Sequence, residues 1–419
     1  MAGKEVDLDT PFRIFAGIDW ATEEHTMSIL DANRNELENK AYPHSGAGLN
    51  QLADRLSALS NGDPSTVAIG IETPHGAVVE TLVERGFAVF SLNPKQMDRF
   101  RDRHCVSGAK DDRRDAYVIA DAVATDMKKF HRVKLSGPQL IRLRELCRST
   151  EDIKQNQNQA GNQLRDLLNR YFPQMLALCT GVNEPWFWDL LEKAPLPEKA
   201  ATLSASRIQK ILTAHRIRRI DGHKVREALH VPALHLAPGG AEAASEHVLV
   251  LLPQLRLYHQ LRKQNESRIE AVLEEMGSDE NLAEHRDVNI LRSLPGVGQC
   301  IAATMLAEAS QALAERDYHA LRSYAGVAPV TKKSGKGKSV VMRKACNQRL
   351  RNAFYHWARV SVQHDPRSNL HYANLRAKGH SHGRATRGVA DRLLSMLFAM
   401  LRNGTVYDPE RRYPTAAAA

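Results

Sequence analysis

Arg13–Asp19 (RIFAGID) and His25–Asp31 (HTMSILD) are two short apolar runs lying close together near the start of the chain. Each has the length and side chains of a β-strand. Asn33-Arg34-Asn35 then supplies a turn, and Glu36–Tyr42 can return as a third strand. Further on, Gly48–Leu59 carries leucines at 49, 52, 56 and 59, the spacing of one helix face. Thr66–Glu72 (TVAIGIE) reads as a buried strand, Gly76–Arg85 as a helix and Phe87–Leu92 as another strand. Lys110–Met127 returns to helix, with Tyr117, Ile119, Ala120, Val123 and Met127 as its apolar residues. A three-strand meander followed by alternating helices and strands predicts an α/β domain with a mixed sheet over residues 11–131.

That order of elements is the one found in ribonuclease H-type folds. From about Ser136 the pattern turns helical and very polar. Leu140, Leu143, Leu146, Ile153, Leu164 and Leu167 form one stripe, interrupted by KQNQNQAGNQ. Val248, Leu251, Leu255, Tyr258, Ile269, Val272 and Met276 form another. Such stripes suit a helical pair or an intermolecular coiled coil, and favour a homo-oligomer, at least a dimer. Pro253, Arg262 and Asn265 argue against one tight continuous coil. Pro185–Gly240 reads as an insertion whose fold (residues 177–245) the pattern leaves open. The expected divisions are a helical, coiled-coil middle region over 136–280 and an all-α C-terminal domain over 282–404. Within the latter, Ser323–Ser339 (SYAGVAPVTKKSGKGKS) is expected to be a Gly/Lys-rich loop.

Composition narrows the function classes. Of 58 Lys/Arg and 48 Asp/Glu in all, residues 1–130 carry 15 and 21, a net of −6, and the remainder carries 43 and 27, a net of +16. An acidic front suits cation binding and a basic remainder suits a polyanion partner. No run of about 18 apolar residues predicts a membrane span. The opening MAGKEVDLDT lacks a signal peptide's apolar core. Cys105, Cys147, Cys179, Cys300 and Cys346 are scattered without a CxxC pair, which argues against structural zinc or a disulfide framework. A cytoplasmic, nucleoid-associated protein is expected.

Four acids stand at suggestive positions. Asp19 ends the first strand and Glu72 ends a strand able to lie beside it. Asp112 and Asp115, three apart in KDDRRDA, can share one side of a helix start. Two carboxylates about 4 Å apart repel by about 4 kcal/mol at an effective dielectric of 20, so such a cluster needs cations or shifted pKa values. Carboxylate ligands suit Mg²⁺ or Mn²⁺. Singly, each acid has an ordinary explanation as a strand-end cap or a helix N-terminal acid. Asp111 is a spare carboxylate beside the pair.

Lys332, Lys333, Lys336, Lys338, Arg343, Lys344, Arg349 and Arg351 lie in a stretch without Asp or Glu, a salt-sensitive nucleic-acid grip. It is not a P-loop, because Lys332 stands where the first glycine of that motif belongs. Ser334, followed by Gly335, is a hydroxyl amid cations and is placed to attack phosphorus. Ser339 is the competing hydroxyl, and a plain anion-binding serine is the simpler alternative. Upstream, Leu291–Ala307 (LRSLPGVGQCIAATMLA) is similar to a helix-hairpin-helix, with Gly296 and Gly298 in the turn that would meet phosphates.

These blocks carry a resemblance. GIDWA (Gly17–Ala21), IETPHG (Ile71–Gly76), NPKQ (Asn93–Gln96) and KDDRRDAYVIAD (Lys110–Asp121) are followed by LRSLPGVG, YAGVAP (Tyr324–Pro329), SGKGK (Ser334–Lys338) and NQRLR (Asn347–Arg351). In this order the chain resembles the DEDD-type insertion-sequence transposases, relatives of the Piv-type DNA invertases and bridge-RNA-guided serine recombinases. The resemblance implies a RuvC-like domain with Asp19, Glu72, Asp112 and Asp115 as metal ligands, and a C-terminal domain with Ser334 as nucleophile. It further implies a dimer or tetramer in which both sites cooperate, and a structured guide (bridge) RNA that pairs with target and donor DNA. Asp111, commonly Thr or Ser in the family, and Cys346, where Gly is usual, are departures.

The expected activity is therefore RNA-guided, Mg²⁺-dependent DNA strand exchange. A RuvC-like hydrolytic nuclease or junction resolvase would need the acids and no serine nucleophile. A non-catalytic nucleic-acid-binding protein would need neither. An actin-like ATPase also opens with a strand and an aspartate, but the nucleotide-binding glycine loops are missing.

Overall fold

The computed structural model describes residues 12–104, 111–179, 181–278, 283–335 and 337–410. The chain divides into two compact units, Met1–Ser136 and Gly137–Ala419.

In the first unit β1 (Ile14–Trp20), β2 (Glu24–Asp31) and β3 (Glu36–Pro43) form the expected antiparallel meander. The Asp31 carboxylate makes the β2–β3 turn by accepting hydrogen bonds from the N–H groups of Asn33 and Asn35. Then come α1 (Gly46–Leu59), β4 (Val67–Ile71), α2 (Ala77–Glu84), β5 (Ala88–Ser91), α3 (Pro94–His104), α4 (Asp112–Asp126) and β6 (His131–Arg132). β4 runs parallel to β1 and β5 parallel to β4, which gives a mixed sheet of order β3-β2-β1-β4-β5-β6.

Strand alternation divides the core in two. Ile14, Ala16 and Ile18 of β1, with Val67, Ile69 and Ile71 of β4, pack with residues of α1 and α2. The intervening residues turn to the other face, where Ala68 and Phe15 pack with Val118, Ile119, Ala122 and Val123 of α4. Gly17 lies on that second face. A Cβ there would sit 2.1 Å from the Ala116 carbonyl oxygen and 2.3 Å from the Ala120 nitrogen, so only glycine lets α4 lie this close to β1.

Two elements of this unit, α3 and β6, lie outside the sequence expectation. Within α3, PKQMDRFRDRH, Met97 and Phe100 are the apolar residues, too few to show a face. Lys110, the expected start of the next helix, lies outside the described residues; the helix itself begins at Asp112.

In the second unit α5 (Pro138–Tyr171) and α11 (Gly240–Ser278) pack along each other, and most of their apolar stripes is buried, with Leu146, Ile153 and Tyr258 partly so. Pro253 sits inside α11 without ending it. Between these helices the insertion folds as α6 (Pro173–Leu178), α7 (Pro185–Lys193), α8 (Pro197–Ala201), α9 (Ala205–Ala214) and α10 (Gly222–Leu229). Their core is built on Trp186, Phe187, Trp188 and Tyr171. α12 (Ala283–Ser293), α13 (Gln299–Ala314), α14 (Tyr318–Tyr324), α15 (Gln348–His364), α16 (Pro366–Ala377) and α17 (His382–Asn403) follow. A core centred on Trp357, Phe354 and Phe398 draws on the α5 start, the α11 end and most of the later helices.

The segment expected to be a loop is a hairpin. β7 (Val330–Ser334) pairs antiparallel with β8 (Gly337–Val341), after α14 has taken up Tyr318–Tyr324. Among the described residues no helix is long and apolar enough to cross a membrane.

Candidate active site

Ile18 of β1 is level with Ile71 of β4 in the parallel register, so Asp19 and Glu72 are the next residues just past the last β1–β4 pair. Neighbouring strands lie about 4.8 Å apart. Both acids fall on the alternation set of Gly17 and Gly70, the face that carries α4.

α4 brings the other two acids. Asp111 accepts a hydrogen bond from the Arg113 N–H and is the helix N-cap, which gives this departure from the family pattern a capping role. Asp112 and Asp115 occupy the first turn, where the helix dipole favours negative charge. Their settings differ. Asp112 is exposed, whereas Asp115 is only 4% exposed.

One residue ties two of these acids together, and the sequence reading passed over it. Arg101 of α3 donates from Nε to Asp115 at 2.9 Å and from Nη2 to Glu72 at 3.0 Å. Nη1 reaches Asp98 at 3.3 Å. Burial disfavours the guanidinium charge, but the Asp115 hydrogen bond and charge, followed by Glu72 and Asp98, outweigh it and hold the pKa above its ordinary value. Its signal, RFRDR, was hidden in a segment too polar to reveal a helix face.

The donor set is carboxylate oxygen, suited to Mg²⁺ or Mn²⁺. Glu72 and Asp115 already converge on one cation, so these residues fit such an ion. The expected fourfold cluster is not gathered: among the described residues, no group of three or more His, Cys, Asp or Glu could hold a metal. Arg101 supplies the positive charge instead.

The basic segment is ordered around the hairpin. Ser334 pairs with Gly337 at the tip, and both Ser334 and Gly335 are exposed, with Gly335 at φ +54°. Lys332 lies opposite Ser339, and Lys333 opposite Lys338. Lys336 lies outside the described residues. Lys344 is exposed and Arg349 half-buried, with a buried Nε that has no hydrogen-bond partner.

Two of the expected phosphate ligands are engaged with backbone. Arg351 donates to the carbonyls of Arg343 at 2.6 Å and Lys344 at 3.2 Å, fastening the strand exit to α15. Arg343 Nε reaches the Ala328 carbonyl at 3.4 Å. Another basic group went unread: Arg387 of α17 is held below its ordinary pKa by burial, then by Arg384 and Arg351.

The helix-hairpin-helix turn is split in role. Gly296, at φ +77°, faces α15, where a Cβ would meet Ser361 Oγ at 2.7 Å. The preceding Pro295 carbonyl accepts from Trp357 Nε1 and Ser361 Oγ, each at 2.9 Å. Gly298 is exposed and opens α13 with no side-chain cap. Gly296 therefore serves packing, and Gly298 caps α13 with no side chain to bond its first N–H groups.

A mixed α/β sheet with acids at its central strand ends, on a chain with a basic hairpin, is compatible with a RuvC-like enzyme of DNA phosphoryl transfer. Residues 16–173 match the transposase profile of the DEDD, IS110 type, and residues 288–373 that of the transposase IS116/IS110/IS902 family. A protein described as a transposase, y4uE of Sinorhizobium fredii, is 42% identical over 229 residues, 54% of this chain and 62% of that protein. The protein described as the mini-circle transposase for IS117 of Streptomyces coelicolor is 31% identical over 408 residues, 96% of both chains. An uncharacterized 43.6 kDa protein of insertion element IS110, also from Streptomyces coelicolor, is 28% identical over 405 residues. The chain belongs to the IS110/IS116/IS902 family of transposases, and it is a DNA transposase.

Proposed function

We propose that this transposase cuts and rejoins DNA through a covalent bond to Ser334, with a divalent ion that gathers Asp19, Glu72, Asp112 and Asp115, acids that do not form such a group by themselves. The observation that carries the reading is the convergence of Glu72 and Asp115 on one cationic group, with Asp19 and Glu72 the next residues past the last β1–β4 pair. Mg²⁺ or Mn²⁺ bound there supplies charge stabilisation to a phosphoryl oxygen.

Ser334 at the exposed hairpin tip has the access a nucleophile needs. Its hydroxyl attacks phosphorus, a phosphoserine ester forms, and the sugar oxygen leaves with the proton. A sugar hydroxyl of the second DNA then attacks the same phosphorus, releases Ser334 and restores its proton. Lys332, Lys333, Lys336, Lys338, Lys344 and Arg349 grip the DNA backbone, with Gly298 adding helix N–H groups. A structured RNA carrying target and donor sequences guides a homo-oligomer, a reading supported by the family motifs.

The test is a strand-exchange reaction on DNA carrying the element's ends and flanking non-coding segment, stopped in detergent and examined for protein–DNA adducts. Adducts are expected with the native chain and with Ser339→Ala, and none with Ser334→Ala or Asp19→Ala. DNA cut without an adduct, at full rate in Ser334→Ala, would make the protein a hydrolytic nuclease.

A further inference from the structure

We propose that Arg101 is a built-in counter-cation, a positioning residue that holds Glu72 and Asp115 together until a divalent ion displaces it, so that α3 is a cation-released latch. This rests on the metal reading above and deepens it.

Asp115 is almost wholly buried, and an unpaired carboxylate there would be costly. It has a partner in Arg101, which reaches it with Nε while Nη2 takes Glu72. A planar guanidinium can serve two carboxylates at once, which an ammonium does less well. The Arg101 side chain is itself 36% exposed and sits on a short polar helix, so it has a route out to water. Asp98, 68% exposed and one turn earlier on α3, steadies it from the solvent side.

Arg101 takes Asp115 Oδ1 and Glu72 Oε1, and a divalent ion bound between the same two carboxylates would stand beside the guanidinium, where the two cations repel. Cation binding and arginine release are therefore linked. The measured ion affinity is the intrinsic affinity reduced by the fraction of molecules in which Arg101 has let go.

The experiment is Mn²⁺ titration of the full chain without DNA, with free Mn²⁺ read by its paramagnetic resonance signal. The variants are Arg101→Gln, Arg101→Lys, Asp98→Asn and Glu72→Gln. Arg101→Gln is expected to bind Mn²⁺ about tenfold more tightly than the native chain, with Arg101→Lys between them. Asp98→Asn, which touches neither proposed ligand, is expected to tighten binding severalfold. Without metal Arg101→Gln melts below the native chain, and Mn²⁺ closes the gap.

A purely structural arginine predicts unchanged or weaker Mn²⁺ binding in Arg101→Gln and Asp98→Asn. If Glu72→Gln abolishes Mn²⁺ binding while the Arg101 and Asp98 variants match the native chain, the metal site stands and the latch is overturned. If no variant binds Mn²⁺ in a Glu72-dependent way, the metal reading itself falls and takes the latch with it.

Discussion

At the residue scale the motif GIDWA shows how much a sequence can and cannot say. Asp19 was legible as a strand-end acid, but the need for Gly17 two residues earlier was not, because it arises from a helix a hundred residues away. The Ala116 carbonyl and Ala120 nitrogen lie where a Cβ would go, and both are backbone atoms that cannot rotate aside. Gly17→Ala is therefore expected to destabilise the first unit by about 3 kcal/mol, at the upper end of ordinary overpacking. Transposition should fall with it, since α4 carries Asp112 and Asp115. A denaturation midpoint equal to the native one would show that α4 does not pack against β1 as described. The exposed, cation-flanked setting of Ser334 was legible from its lysine and glycine neighbours, whereas the bridging position of Arg101 was not. A guanidinium bridging two acids leaves no local pattern, because its partners lie 29 and 14 residues away.

At the element scale the meander, β4, α2, β5 and α4 were readable because each has a dominant period and a turn signal at its ends. The lysine hairpin was misread as loop. Its apolar ends, Val330 and Val340-Val341, flank the Ser334–Gly337 pair with Gly335 beside it, a hairpin signal, yet the lysines along the strands lower the apparent strand propensity. What the hairpin does with those lysines is measurable. Each phosphate contact adds close to one unit to the salt dependence of DNA affinity. The double variant Lys332→Gln/Lys333→Gln should reduce that slope by about two and weaken binding at low salt whatever the DNA sequence. Lys199→Gln, an exposed lysine of α8, should leave the slope unchanged. If the two variants behave alike, the hairpin is not the phosphate grip.

At the scale of the whole molecule the change from α/β to helical near Ser136 was readable from the residue pattern, but the fold of the insertion was not. Its core rests on aromatic residues from short proline-started helices, and such short runs show no period. Burial of histidines across both units has a consequence for pH. His25, His259, His356 and His371 are each held below the ordinary value of 6.5, by burial first and then by positive neighbours: His44 for His25, Lys263 for His259, Arg359 for His356 and Arg392 for His371. The folded chain thus binds these protons less readily than the unfolded chain does. Above about pH 6.5 both states are neutral at these sites and stability is full. As pH falls below 6.5 the unfolded chain takes up protons that the folded chain refuses, and stability declines until the folded values are reached. Melting temperature should therefore stay nearly level from pH 7.5 to about pH 6.5 and then drop towards pH 5, with net proton uptake on unfolding near pH 6. Asp189 and Glu184, whose ion-paired carboxylates lie below their ordinary values, would contribute only at more acid pH. His356→Gln, on α15 beside Arg359, should flatten part of the slope in the pH 5–7 window while leaving the alkaline plateau nearly intact. A melting temperature that is level or rising towards pH 5 would mean that these histidines take up protons freely in the folded chain.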